Sequence, residues 1–152
     1  MNRFWSGFGW GVAATVVMSA LMILGVLTGM SPMPTPIPAA IVGKLTGGSL
    51  PKPGLMAVAA LLHLGYGGFW GGLLARFSRR LTVGQGVLLG VGLWMLMGVA
   101  VLPWLGWGLF GTSQTPKIAV ATLVLHLLYG VTLGWALAAH GVTTAEEPRA
   151  RS

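Results

Sequence analysis

Two histidines of this chain recur in matching surroundings. Residues 63–75 read HLGYGGFWGGLLA and residues 126–138 read HLLYGVTLGWALA, a shared pattern H-L-x-Y-G-x-x-x-G-x-x-L-A. Leu, Ala and Gly are abundant throughout, so the specificity of the match lies in His63 with Tyr66 and in His126 with Tyr129. Imidazole and phenol one helical turn apart are the groups here able to ligate, to pass a proton or to hydrogen-bond in an apolar setting. The candidate site is therefore His63, His126, Tyr66, Tyr129, Gly67 and Gly130.

Three chemistries fit that set. A neutral imidazole can donate to a carbonyl, Thr or Tyr of a neighbouring helix and fix packing. Two imidazoles at one depth on different helices can ligate haem b axially, with interior Gly leaving room for a porphyrin and Arg76, Arg79 and Arg80 or Lys44 and Lys52 meeting its propionates. GxxxG faces favour close helices, which works against a sandwiched haem. The third is a path for a metal, a proton or a small molecule, with His63 and His126 as metal ligands and Met30 and Met33 as soft partners for Cu(I). Met is also ordinary apolar filler.

Much other chemistry is excluded. Glu146 and Glu147 are the only carboxylates, so paired acids, carboxylate-held magnesium and a Ser/His/Asp relay cannot be built. Without Cys there is no thiol catalysis, disulfide or thiolate metal site. Nor do the cations cluster with polar support as a nucleic-acid surface requires, so no nucleic-acid partner is expected.

The elements that position these residues follow from the solvent. Charged residues make up 7% of the 152 and hydrophobic ones 55%, whereas soluble domains carry about 25% charge. The medium is lipid. Charges divide the chain into uncharged stretches Phe4–Gly43, Pro53–Ala75, Leu81–Pro116 and Ile118–Ala145, each long enough for a crossing of about 20 residues. Trimmed by Pro and Gly, they predict helices over 5–30, 55–74, 81–105 and 118–139: an all-α, four-helix transmembrane bundle spanning residues 1–141. The first is read as a retained helix rather than a signal peptide, its apolar run being longer than a signal h-region.

Cations in short loops stay cytoplasmic. Arg3, the Arg76/Arg79/Arg80 cluster and Arg149/Arg151 fall on one side, against Lys44, Lys52 and Lys117 on the other. Both termini are thus expected in the cytoplasm, and the protein in the inner (cytoplasmic) membrane. Residues 142–152 form a polar tail expected to be disordered.

The histidine-bearing helices, with weaker matches between the first and third (Gly11-Val12 with Gly86-Val87, Met22 with Met97), suggest two tandem hairpins related as a parallel repeat. His63 and His126 then lie at similar depth, ~12–14 Å from the outer end at 1.5 Å per residue. Stripes at i+4 spacing, Ala59/His63/Gly67/Gly71 and Thr122/His126/Gly130/Gly134, turn both histidines toward the bundle interior, with Gly7/Gly11 and Gly86/Gly90 as further small-residue faces. In the outer loop 31–54, prolines 32, 34, 36, 38, 51 and 53 favour extended chain, leaving Ala39–Leu45 as a short surface helix. Pro103 is expected to end or kink the third helix, with Trp104, Trp107 and Phe110 in the interfacial aromatic belt.

His63–Gly67, Gly86–Gly90, the Pro-Trp-Leu-Gly-containing segment Pro103–Gly111 and His126–Gly134, taken together and in order, resemble an uncharacterised family of small four-helix prokaryotic membrane proteins. The resemblance implies the fold and the membrane location, and brings no activity. The expected role is a non-enzymatic accessory subunit of a larger membrane complex, respiratory complexes included, with the lipid bilayer and a membrane protein or a second copy as partners. The alternatives are a bis-histidine haem b electron carrier and metal or small-molecule permeation.

Overall fold

The computed structural model describes residues 2–140; the tail 142–152 lies outside the described residues. Four helices are long and apolar enough to cross a membrane: α1 (Arg3–Leu27), α3 (Lys52–Phe77), α4 (Val83–Leu105) and α5 (Lys117–Ala139). A shorter α2 (Ile37–Leu45) lies in the connection between α1 and α3. All regular structure among the described residues is helical, and the chain is a multi-pass membrane bundle.

Local chemistry sets the ends of these helices. α1 stops at Leu27 rather than Met30 because Gly29 turns left-handed (φ 73°), letting Ser31 N–H reach back to the Gly25 carbonyl at 2.9 Å. α3 starts at Lys52, three residues earlier than the apolar run alone indicates. Pro51 caps it in extended conformation and Pro53 occupies the first turn, where a missing N–H costs nothing. Pro38 plays that same part in α2, which begins at Ile37 rather than Ala39. Thr82 caps α4, its Oγ1 accepting from Gln85 N–H at 3.2 Å.

Pro103 does not end α4. The backbone widens to a π-turn over Met97–Val101, with Leu102 N–H bonding to the Met97 carbonyl, and the helix runs on to Leu105. A π-turn is one of the few ways a membrane helix re-pairs its backbone around proline. The stop comes at Gly106 (φ 86°), where Trp107 N–H closes on the Leu102 carbonyl at 2.9 Å. Of Trp104, Trp107 and Phe110, only Trp104 faces outward. Trp107 is buried with Ile37, Met97, Leu102 and Ile118, and Phe110 stacks on Trp94 at 4.6 Å. Phe110 takes a left-handed backbone (φ 51°) to do so, a conformation costing roughly 1–3 kcal/mol.

Antiparallel pairs α1/α3 and α4/α5 pack along their lengths, and α1 also packs on α5. In cross-section the order is α3, α1, α5, α4. α3 and α4 meet only sparsely, and α2 rests on α3 and on the far end of α4. The core between the pairs holds Ala14, Met18, Leu93, Leu125, Tyr129 and Leu133.

Candidate functional site

Glycine determines how closely the helices approach. A Cβ on Gly71 would stand 2.6 Å from the Gly7 carbonyl oxygen, and one on Gly130 would stand 2.5 Å from that of Gly86. Each crossing is backbone against backbone, as small-residue faces allow in lipid. Gly11 meets the backbone of Gly67 and Gly68, and Gly90 meets that of His126 and Gly130. The small-residue stripes are thus occupied inside the bundle.

On the α5 stripe, His126 is 9% exposed. Its Nδ1 lies 2.8 Å from the carbonyl oxygen of Thr122, one turn earlier. A carbonyl only accepts, so Nδ1 carries the proton, and a neutral ring keeps a bare lone pair on Nε2. Thr122 is itself held in place: its hydroxyl donates to the Ile118 carbonyl at 2.7 Å and accepts from Trp94 Nε1 at 3.3 Å. Trp94, which braces Thr122, is what a reading of the sequence missed. The Thr at i−4 was the available signal; the Trp, 28 positions away from Thr122, left none.

His63 on α3 is half-buried, and its Nε2 is sealed without a hydrogen-bond partner among the described residues. Both histidines line one cavity of about 650 Å³. It lies in the gap between α3 and α4, backed by Met18 and Met22 of α1 and by Leu125 of α5, and roofed by Ile37, Pro38 and Ile41 of α2. Tyr66 and Thr122 add the remaining polar side chains, and no Lys, Arg, Asp or Glu lines it among the described residues.

The other candidates part company here. Tyr66 lines the cavity at 44% exposure, its ring edge-on to Trp70 at 6.1 Å. Tyr129, its sequence counterpart, is buried instead, and its hydroxyl donates to the Gly67 carbonyl at 2.6 Å. Gly67 and Gly130 belong to the helix crossings rather than to the cavity wall. Met33 reaches the cavity, while Met30 is 82% exposed and away from it. No group of three or more His, Cys, Asp or Glu able to hold a metal occurs among the described residues. The third histidine, His140, caps α5 far along the chain from this site and stacks on Trp10 at 4.4 Å.

The model of the family of unknown function DUF6789 matches residues 1–147. The chain belongs to that family. No curated protein and no solved structure matches the chain. Membership in DUF6789 brings no activity with it, so function is argued from the cavity.

Proposed function

We propose that this chain is a small, non-enzymatic binding subunit of a membrane assembly, and that its cavity takes an apolar ligand from the bilayer. One observation carries the reading: the two histidines line a single apolar cavity whose rim is made of side chains that also face outward. Leu61, Leu62, Tyr66 and Phe69 of α3 and Leu96 of α4 all line the cavity and are exposed on the helix surface. In a membrane that surface is in lipid, so the gap between α3 and α4 is a lateral entrance. A volume of about 650 Å³ falls within the ordinary range for ligand pockets, ~300–1,000 Å³.

The orientation follows the cations. Arg3 donates to the Ser78 carbonyl at 2.8 Å, which puts it at the same end as Arg76, Arg79 and Arg80; Lys44 reaches the Trp104 carbonyl at the opposite end. We assign the Arg end to the cytoplasm and the protein to the inner membrane. The matching crossings of α1 on α3 and α4 on α5 support a duplicated hairpin. The subunit role rests on the sequence reading alone, because the glycine faces are already occupied inside the bundle.

The test is a photoactivatable diazirine lipid in nanodiscs. Adducts are expected on the peptides holding Leu61–Phe69 and Leu93–Met97 above those on the outer faces of α1 and α5. Uniform labelling of all four helices would sink the cavity reading. Co-purification in mild detergent tests the subunit role, which fails if the chain runs alone.

A second reading, haem b held by His63 and His126, is favoured by the Nδ1–H···O=C bond of His126, the usual support of a ligating imidazole. Against it, no cation among the described residues lines the cavity to meet propionates. A Soret band in the purified protein that is lost in the His63→Ala/His126→Ala double variant would establish it.

A further inference from the structure

The unfilled hydrogen bonds of the cavity constrain the head group of its ligand. Thr122 has already donated its proton to Ile118. His126 Nδ1 is committed to Thr122, so what His126 offers the cavity is an acceptor. At His126 a ligand that brings only acceptors would set lone pair against lone pair, even though Tyr66 O–H could donate to it elsewhere on the lining. One that brings a charge would find no counter-ion among the described residues, whose polar side chains on the lining are His63, Tyr66, Thr122 and His126, and an unpaired charge in such surroundings is strongly disfavoured. Phosphate, carboxylate and ammonium heads are excluded on that ground. His63 lines the same cavity, but its Nε2 is sealed from it and has no hydrogen-bond partner among the described residues, so the open acceptor is that of His126.

We propose that the ligand is a neutral amphiphile bearing an O–H donor, such as an alkylated hydroquinone or a long-chain alcohol, and that His126 Nε2 accepts its proton in a hydrogen bond. This rests on the cavity reading above. Only the head has to enter: a chain attached to it leaves through the opening between α3 and α4 and stays in lipid.

The experiment measures binding of decyl hydroquinone, its dimethyl ether and 1-hexadecanol to the full chain in phosphatidylcholine nanodiscs. The ether keeps the ring and chain and lacks the donor. The hydroquinone or the alcohol is expected to bind at least about tenfold tighter than the ether, because an acceptor built for a hydrogen bond discriminates strongly against a ligand lacking the donor. In His126→Phe the ratio of hydroquinone to ether should fall to about one. Whichever of hydroquinone and hexadecanol binds tighter identifies the head as aromatic or aliphatic. An ether that binds the unaltered protein as tightly as both donors overturns the proposal, with no need for a folded variant. If none of the three binds while the diazirine lipid still labels the cavity, the ligand class is wrong and the cavity reading stands. If labelling fails as well, both fall.

Discussion

The hydroxyl of Tyr129 on α5 donates to the backbone carbonyl of Gly67 on α3 across 2.6 Å, tying the α4/α5 pair to the α1/α3 pair one helical turn from the histidines. Gly67 can be approached this closely because it has no side chain; a Cβ there would run into Thr15 and, at 3.3 Å, the Tyr129 ring. The two pairs are thus joined on the side of the bundle where α1 and α5 lie, and apart on the side of the cavity.

Tyr129→Phe removes that bond and little else. Helix-to-helix hydrogen bonds in membranes contribute about 0.6–1.7 kcal/mol, so the variant should lose stability of that order in a detergent unfolding titration. No loss would mean that packing alone joins the pairs.

Glycines should divide into two classes. Gly130→Ala places a methyl 2.5 Å from the Gly86 carbonyl, where only backbone can yield; a cost of about 1–3 kcal/mol or more is expected. Gly9 and Gly92 have nothing within 4 Å of an added Cβ, and Ala there should be neutral or stabilise by about 0.5–1 kcal/mol through helix propensity. Thermal unfolding in detergent separates the classes, and equal behaviour would contradict the packing described.

Lys44 of α2 donates to the Trp104 carbonyl, and its ammonium sits 5.0 Å from the Trp104 ring centre. This clasp holds the roof of the cavity to the end of α4. Lys44→Met should speed hydrogen exchange of the Ile37–Leu45 amides several-fold while the long helices stay protected, since an exposed cation–π contact is worth about 0.5–1 kcal/mol. Unchanged exchange would show that Ile37, Ala39 and Val42, all buried, suffice to hold α2.

Because the chain has no Cys, single cysteines report topology without background. A cysteine at Ser49 should react with an impermeant maleimide added outside intact cells, and one at Ser78 only after lysis. The reverse result would invert the proposed orientation.

His126→Phe in the unliganded protein should cost little stability, because the helix keeps its own backbone bonds and the ring volume is roughly conserved. A loss above about 2 kcal/mol by unfolding titration would give His126 a structural role instead.

How much was legible in the sequence differs by level. Apolar runs broken by cations are a one-dimensional signal, so the four long helices and the family were readable from residue order. Small-residue spacing told which face of each helix is buried, since a period of 3.6 is local. End positions were missed where backbone chemistry overrides hydrophobicity, with Gly29 shortening α1 and proline in the first turn lengthening α3; the end of α4 at Leu105 agrees with the apolar run, the π-turn carrying the helix through Pro103.

Only the tertiary structure decided what the repeated residues do. His63 and His126 share a pattern and do share a cavity, yet Tyr66 stands at its rim while Tyr129 is consumed in a helix-to-helix bond. Two segments that share this pattern part because their neighbours differ. α3 borders the open gap toward α4, whereas α5 is packed on both sides by α1 and α4. That asymmetry comes from contacts between residues far apart in the chain, and no local period encodes it.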